Sequence, residues 1–270
     1  MVNLIKSEFY KLLNSKVYKI LIAYMILMVI CIIYSSFGYT QGEGFKWIYL
    51  ALEGRVYGFH HNVYADVNNI RGVEVFLSTL GAAPIIIGEI SYLISFLIGD
   101  EYKNGTYKNI LTYGHKRKDL YVAKSVALSI GIAIIVFASS LIALFLGTII
   151  YGWGIPFEIN QIIDIIKWLS INTVIFISII SIISVVATIF KSGELSLLFT
   201  IIFILSPYVL LQLNVVTLDI LRYHPIFMLM DTCIKMPNNS LILQILTTCS
   251  IITVLFTVLG SYIFKKQDIR

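Results

Sequence analysis

Residues 168–213 read WLSINTVIFISIISIISVVATIF, then KSGE, then LSLLFTIIFILSPYVLLQL, and the only charged side chains among them are Lys191 and Glu194. An α-helix needs about 20 mostly apolar residues to cross roughly 30 Å of hydrocarbon, and each apolar part of the stretch is about that long. In lipid every backbone polar group must be bonded internally, so both parts are predicted to be helices. The stretch therefore predicts two membrane-spanning helices joined by a tight turn.

The same criterion finds four more spans elsewhere in the chain, and the bulk composition agrees with a membrane protein. Hydrophobic residues make up 58% of the 270 residues and charged residues 13%, against about 45–50% and 25% in soluble domains. The first apolar run is longer than a signal-peptide core and has no cleavage site after it, so we read it as a retained helix. We predict an all-α integral membrane protein with one domain, 1–270, and spans at about 17–37, 75–98, 125–150, 168–190, 195–213 and 241–264.

The placement of basic residues predicts the orientation of these spans. About 14 of the 20 lysines and arginines fall in the N-terminal segment, the loop at 99–124, Lys191 and the C-terminal tail. Basic residues in short loops stay on the cytoplasmic side. Both termini are therefore predicted to be cytoplasmic, and an even number of spans agrees with this.

Two segments outside the spans have patterns of their own. Residues 3–16 place Ile5, Phe9, Leu12 and Leu13 on one helical stripe with lysines elsewhere, which predicts an amphipathic helix in the cytoplasmic membrane interface. Residues 212–240, between spans five and six, are too long for a simple turn and have apolar patches. They predict a re-entrant outer segment of two short helices, with a break at His224-Pro225.

Several kinds of chemistry have no pattern in this sequence. The chain lacks the G-x-x-x-x-G-K-[ST] motif of P-loop ATPases and any Cys/His spacing typical of a metal site. No cofactor and no metal are therefore expected. A net charge of only +5 gives no reason to expect a nucleic-acid partner, and membrane lipid is the expected surrounding.

Three residues within the spans are candidates for a transport pathway or a hinge. Glu89 is the one ionisable residue clearly inside a predicted span, and such residues are costly in lipid and are often functional. It could line a pathway or sense protons, or it could be structural, paired with a hydroxyl or facing a cytoplasmic vestibule. Pro84 and Pro207 interrupt spans two and five, where proline permits a helix to bend.

The loop after span two carries the most informative local motif. Residues 99–111 read GDEYKNGTYKNIL, and Arg117 and Lys124 follow before the third span. Gly105 can provide a bend within this loop. The loop also carries tyrosines, which are common anchors of protein interfaces.

This loop resembles that of the ABC-2 type permease family, which has a glutamate, a short gap, Gly-Thr, an apolar pair, then an arginine and a lysine. The matching residues are Glu101, Gly105, Thr106, Ile110, Leu111, Arg117 and Lys124, while His115-Lys116 departs from the family pattern. In size and loop style the chain is most similar to lantibiotic-immunity and bacitracin-type permeases of Gram-positive bacteria.

The resemblance implies that the loop forms a cytoplasmic coupling helix that docks on a separate P-loop ATPase subunit. Thr106 is then expected to cap this helix. The residues expected to couple to the ATPase are Glu101, Gly105, Thr106, Lys108, Arg117 and Lys124. A second permease subunit, identical or homologous, is also implied. The expected function is the membrane-spanning permease of an ABC exporter in the cell membrane, moving an amphipathic substrate such as an antimicrobial peptide.

Two other classes of function stay open at this point. An ion- or proton-coupled secondary transporter would depend on Glu89 and would need no ATPase. An intramembrane enzyme would need a convergent catalytic set within the spans, and the sequence offers no base beside its serines. We therefore expect a transport subunit without catalytic activity of its own.

Overall fold

The computed structural model describes residues 1–37, 45–52, 55–61, 66–154, 159–234 and 238–267. Within these residues the chain is helical except for one β-hairpin and short connections. The elements in chain order are α1 Val2–Asn14, α2 Lys16–Ser36, β1 Phe45–Leu52, β2 Arg55–His61, α3 Gly72–Gly81, α4 Ala83–Lys103, α5 Thr106–Thr112, α6 Arg117–Tyr151, α7 Ile159–Phe190, α8 Gly193–Gln212, α9 Leu218–Leu221, α10 Pro225–Ile234 and α11 Asn239–Lys266. The turn Val67–Asn69 is a short 3₁₀ helix.

The six-span prediction is confirmed, because six helices of the described chain are long and apolar enough to cross a membrane. They are α2, α4, α6, α7, α8 and α11. Two of them extend well beyond the predicted ends: α6 has 35 residues and α7 has 32. At about 1.5 Å per residue, α6 is roughly 50 Å long, so it is longer than the hydrocarbon core is thick.

The second span differs from the prediction of one helix over 75–98. The chain breaks at Ala82, with α3 before the break and α4 after it. Pro84 lies in the first turn of α4, where its missing N–H costs no hydrogen bond. It therefore starts a helix and does not bend one. At its other end α4 continues past the predicted residue 98 to Lys103, so that Glu101 belongs to its last turn.

The apolar core has α7 at its centre and α8 and α11 at its periphery. Most of α7 is buried, whereas α8 and α11 bury only a small part of their length. On α11 the exposed side chains are large and apolar, such as Ile251, Val254 and Val258. Hydrophobic side chains on the outside of a helical bundle suit a lipid environment.

The β-hairpin between α2 and α3 was not predicted from the sequence. Strands β1 and β2 pair antiparallel, with Phe45 opposite His61 and Leu52 opposite Arg55. The inner side chains of β2, Tyr57 and Phe59, are buried. The Tyr57 ring packs against Phe227 of α10, with 4.8 Å between the ring centroids. Aromatic residues on both sides of Glu53-Gly54 were the available signal for a hairpin.

The segment between α8 and α11 forms the two short helices that the sequence predicts, and α10 begins at Pro225. Residues 226–230 of α10 are all buried. The end of α10 is fixed to α7, since Trp168 Nε1 donates to Thr232 O at 2.7 Å and Thr232 Oγ1 donates to Asn172 Oδ1 at 2.9 Å. Insertion of this segment into the bilayer remains a prediction.

The N-terminal helix is amphipathic, but its buried face differs from the predicted stripe. Leu4, Glu8 and Leu12 are the buried residues of α1, and Leu13 is 40% exposed. The helix lies on α6 where Gly131 leaves room for Leu12: a Cβ on Gly131 would lie 2.3 Å from Leu12 Cδ2. A carboxylate thus occupies the middle of the face that α1 presents to the bundle.

Candidate functional site

Four charged side chains from three helices form a closed set of ion pairs, which we call the ion-pair ring: Glu8, Lys11, Glu101 and Lys124. Lys124 Nζ lies 2.7 Å from Glu8 Oε2 and 2.6 Å from Glu101 Oε2. Lys11 Nζ lies 2.9 Å from Glu101 Oε1 and also contacts Glu8. Each lysine therefore touches both glutamates, and the formal charges cancel within the ring.

The ring is largely removed from water. The exposed fractions of the side chains are 3% for Glu8, 10% for Lys124, 14% for Glu101 and 34% for Lys11. Removing ions from water costs several kcal/mol each unless partners replace the hydration. Because every member here has two oppositely charged partners, the loss of one member leaves a buried charge without full compensation.

The ring joins elements that are distant in the chain. Glu8 and Lys11 are one helical turn apart on α1, Glu101 is at the end of α4, and Lys124 is two turns inside α6. The ring thereby fastens the ends of α4 and α6, which flank α5, to the N-terminal helix.

An aromatic cluster lies directly beside the ring. Tyr107 of α5 is 3% exposed, and Lys124 Nζ lies 5.6 Å from the centroid of its ring. Tyr102 and Phe264 pack on Tyr107 with centroid distances of 4.8 and 5.0 Å. Burial raises the pKa of the Tyr107 phenol well above its ordinary value, and the negative charge of Glu101 adds to this, so the phenol stays protonated.

The start of α5 is set by Gly105 and not by a threonine cap. Gly105 is the N-cap residue, with φ +65°, and Thr106 is the first residue of the helix, so the expected cap by Thr106 is wrong. The left-handed conformation of Gly105 costs an L-residue about 1–2 kcal/mol. A Cβ there would meet no atom within 4 Å, so the backbone conformation, and not space, favours glycine.

Arg117 is placed at the end of α11. Its Nη1 donates to Lys265 O at 3.2 Å and to Gln267 O at 2.5 Å. The last carbonyls of a helix lack intrahelical partners and carry partial negative charge, so a guanidinium stabilises them. Tyr102 also donates to Gln267 Oε1, so the C-terminal end of the chain is tied to the loop. No local pattern in the sequence indicated this contact.

The exposed side of α5 is a separate surface, which we call the α5 face: Lys108, Asn109, Thr112 and Tyr113. All four side chains are exposed, and Tyr113 is 84% exposed. A cleft of about 340 Å³ separates α5 from α1 beside this face. An exposed tyrosine next to a cleft is a feature of surfaces that bind protein partners.

The predicted coupling residues therefore divide into three groups, of which Arg117, bound to the end of α11, is one. Glu101 and Lys124 are buried in the ion-pair ring and are not presented to a partner. Lys108 is exposed on α5, and Gly105 and Thr106 form its start. The two ring residues on α1, Glu8 and Lys11, are not among the predicted coupling residues. A signal for the burial of Glu8 was available in the sequence. Glu8 is four residues from both Leu4 and Leu12, so its carboxylate lies on the same helical face as these two apolar side chains.

The pathway and hinge candidates lie away from the ring. Pro207 is buried inside the continuous helix α8. Glu89 is in the second turn of α4, and neither of its carboxylate oxygens has a hydrogen-bond partner among the described residues. The expected pairing of Glu89 with a neighbouring hydroxyl is therefore not seen there.

The chain matches a known family over most of its length. The match is to the ABC-2 family transporter protein, over residues 4–207. These residues include all four members of the ion-pair ring, the whole of α5 and Pro207. A comparison with curated proteins found no match. With six apolar helices of spanning length and a family match over more than half of its residues, this chain is a multi-pass membrane protein that belongs to the ABC-2 transporter family.

Proposed function

We propose that the chain is the membrane-spanning permease subunit of an ATP-driven exporter, and that ATP is hydrolysed on a separate P-loop ATPase subunit. The observation that carries the proposal is the ion-pair ring beside an exposed short helix. The ring supplies a stiff connection between a docking surface and the ends of two long helices, α4 and α6.

In this proposal the ATPase binds the α5 face, and its closure on ATP pushes α5. Tyr107 is the buried side chain of α5, so it carries the movement into the aromatic cluster and the ring. Glu101 and Lys124 then act as positioning residues that move α4 and α6 together with α1. They do not touch the ATPase.

The family and the charge pattern support a wider setting for this proposal. Two permease chains, identical or homologous, enclose the route in the cell membrane of a Gram-positive bacterium, with both termini in the cytoplasm. The cargo is amphipathic, such as an antimicrobial peptide, because the interior is mostly apolar with few charges. The chain itself performs transport and not catalysis.

The test is purification of the intact permease from its native membrane after changes on the α5 face. We expect a P-loop ATPase, identified by mass spectrometry, to co-purify with the unaltered chain. Tyr113→Ala and Lys108→Glu should reduce its recovery about tenfold or more, because tyrosine often dominates the binding energy of an interface and a reversed charge opposes the wrong partner charge. Tyr34→Ala is the matched control, because Tyr34 is 79% exposed and lies at the far end of α2.

Two outcomes of this experiment would contradict the proposal. If the variants on the α5 face retain as much ATPase as Tyr34→Ala, docking does not occur there. If no ATPase is recovered with any form and transport continues, the permease is not driven by ATP.

A second candidate function is an ion- or proton-coupled carrier, and the unpaired carboxylate of Glu89 favours it. Transport would then persist in proteoliposomes without ATP or ATPase and would be lost in Glu89→Gln. Persistence of ATP-driven transport in Glu89→Gln excludes this candidate.

A further inference from the structure

A second cavity lies at the other end of the molecule from the ion-pair ring, and we call it the outer pocket. Its volume is about 290 Å³, and its lining includes Arg71, Trp153, Gln161, Asp164 and Trp168. On α6, Lys124 belongs to the ion-pair ring and Tyr151 is the last residue. At about 1.5 Å per residue they are roughly 40 Å apart, so ring and pocket are on opposite sides of the apolar layer.

Close backbone approach builds the pocket. Gly72 N donates to Gly152 O at 2.9 Å, which ties the start of α3 to the end of α6. A Cβ on Gly72 would lie 2.4 Å from Thr148 Oγ1, so only glycine permits this approach. Arg71, directly before Gly72, is thereby brought beside the turn that carries Trp153.

The walls of the pocket are held by hydrogen bonds that do not need a ligand. Trp153 Nε1 donates to Gln161 Oε1 at 2.6 Å, and Trp168 Nε1 donates to Thr232 O at 2.7 Å. Glu74 accepts from the backbone N of Arg71 at 2.9 Å. A pocket with fixed aromatic walls and a few polar groups is already organised for binding.

Two charges of opposite sign remain available to a ligand. The side chain of Arg71 lines the pocket and is exposed, and Asp66 lies close enough for a weak electrostatic interaction with it. Asp164 is 50% exposed, and its ion pair with Lys167 is long, at 3.5 Å. Such exposed pairs are weak and are readily exchanged for another cation.

The position and the lining indicate the chemistry of the ligand. Tryptophan is enriched at the depth of lipid headgroups, and the pocket follows directly after the apolar stretch of α6. Arginine binds phosphate through a fork of parallel hydrogen bonds, and a carboxylate accepts from an ammonium group. An acyl chain could leave along the apolar surface of Val73 and Ile165, which also line the cavity.

We propose that the outer pocket binds a zwitterionic phospholipid headgroup, with the phosphate on Arg71 and the ammonium group on Asp164. The same chemistry occurs in a water-soluble phosphodiester that carries an amine, so the experiment separates the two sources. This inference does not depend on an ATPase partner or on the direction of transport.

The experiment uses the intrinsic fluorescence of the intact chain in nanodiscs. The chain has three tryptophans, and two of them line the pocket. In a Trp47→Phe background the emission therefore reports on the pocket. Phosphatidylethanolamine is titrated into nanodiscs of phosphatidylglycerol, and glycerophosphoethanolamine is added separately as the soluble probe.

We expect phosphatidylethanolamine to shift the emission in a saturable way. Arg71→Gln should weaken apparent binding about tenfold, the effect of losing roughly 1.4 kcal/mol. Asp164→Asn should remove the preference for phosphatidylethanolamine over phosphatidylglycerol while leaving phosphate binding in place. Lys167→Gln is the matched control for a change of charge beside Asp164, and it should not weaken binding.

Each result of the fluorescence titration leads to a different conclusion. A response to the lipid that exceeds the response to glycerophosphoethanolamine supports a lipid site, and the reverse order assigns the same contacts to a soluble ligand. Equal emission in both lipids, or an unchanged response in Arg71→Gln, overturns the proposal. The peak position of each variant before titration shows whether the tryptophans are still buried in a folded protein.

Discussion

Lys124 is the residue on which the ion-pair ring depends most, because its ammonium group contacts two glutamates at 2.6 and 2.7 Å and is 10% exposed. Without it, Glu8 and Glu101 share the single lysine that remains, Lys11. We expect Lys124→Met to lower the free energy of unfolding by about 3–5 kcal/mol, the usual effect of breaking a buried pair. Thermal unfolding in detergent measures this.

Two further variants separate charge from packing. Lys11→Met should cost clearly less, since Lys11 is 34% exposed and water replaces part of the lost contact. Lys124→Met combined with Glu101→Gln should recover part of the loss, because one positive and one negative charge are then removed together. Equal losses for both lysines would show that the ring does not act as a buried unit.

His224 gives the outer segment a pH dependence with a defined sign. Its Nδ1 accepts from Ile226 N at 3.2 Å, its Nε2 lies 3.3 Å from Ser206 Oγ, and Ser206 Oγ donates to Phe203 O. The neutral ring therefore carries its proton on Nε2. Burial lowers the pKa of His224 from 6.5 to about 4, because a buried cation loses its hydration.

Since the folded state binds this proton less well than the unfolded state, the contribution of His224 to stability is complete above about pH 6.5. It is lost as the pH falls from there toward 4. We expect the melting temperature in detergent to fall over this window, and to fall less in His224→Gln, which cannot take up a proton. Parallel curves for the two proteins would contradict the assignment.

Among the helices, α3 and α6 approach closely through glycine. A Cβ on Gly147 of α6 would lie 2.8 Å from Val75 Cβ of α3, and the branched Val75 cannot turn away easily. We expect Gly147→Ala to destabilise the protein by about 1–3 kcal/mol through overpacking, seen as a lower melting temperature. Close helix contacts through small residues are typical of membrane bundles.

Gly88 of α4 is the matched control for Gly147. A Cβ on Gly88 would meet no atom within 4 Å, and alanine favours a helix over glycine by about 1 kcal/mol. Gly88→Ala should therefore leave the melting temperature unchanged or raise it. A loss as large as that of Gly147→Ala would mean that Gly88 faces a partner chain or a tightly packed lipid.

For the molecule as a whole, the orientation in the membrane is the prediction with the widest consequences. In a Cys31→Ala background, the native Cys233 and Cys249 are buried and unreactive. Tyr113→Cys and Asn160→Cys then place single exposed thiols at the two ends of the bundle. An impermeant maleimide should label position 160 in intact cells and position 113 only after permeabilisation.

The reverse labelling pattern would place α5 outside the cell. It would separate the α5 face from any cytoplasmic ATPase, and it would move the outer pocket to the inner leaflet. The family membership would stand, because it does not depend on orientation.

The helix α5 was expected from the resemblance of its loop to a family, whereas the sequence by itself determined the number of spans, the hairpin of α7 and α8 and the break before Pro225. These features depend on the length of apolar runs and on glycine and proline at particular positions, and such signals are local. The same local signals misplaced the second span. Proline can bend a continuous helix or stand in the first turn of a new one, and the sequence did not show that the chain breaks at Ala82, before Pro84.

Only the tertiary structure decided which charged residues meet. Lys11 and Glu101 are 90 positions apart in the chain, and Arg117 and Gln267 are 150 apart. A pairing over such separations depends on how α1, α4, α6 and α11 pack, which no local pattern encodes. For this reason Glu101 and Lys124 looked like exposed loop charges in the sequence, although burial within the bundle makes them partners of each other and of α1.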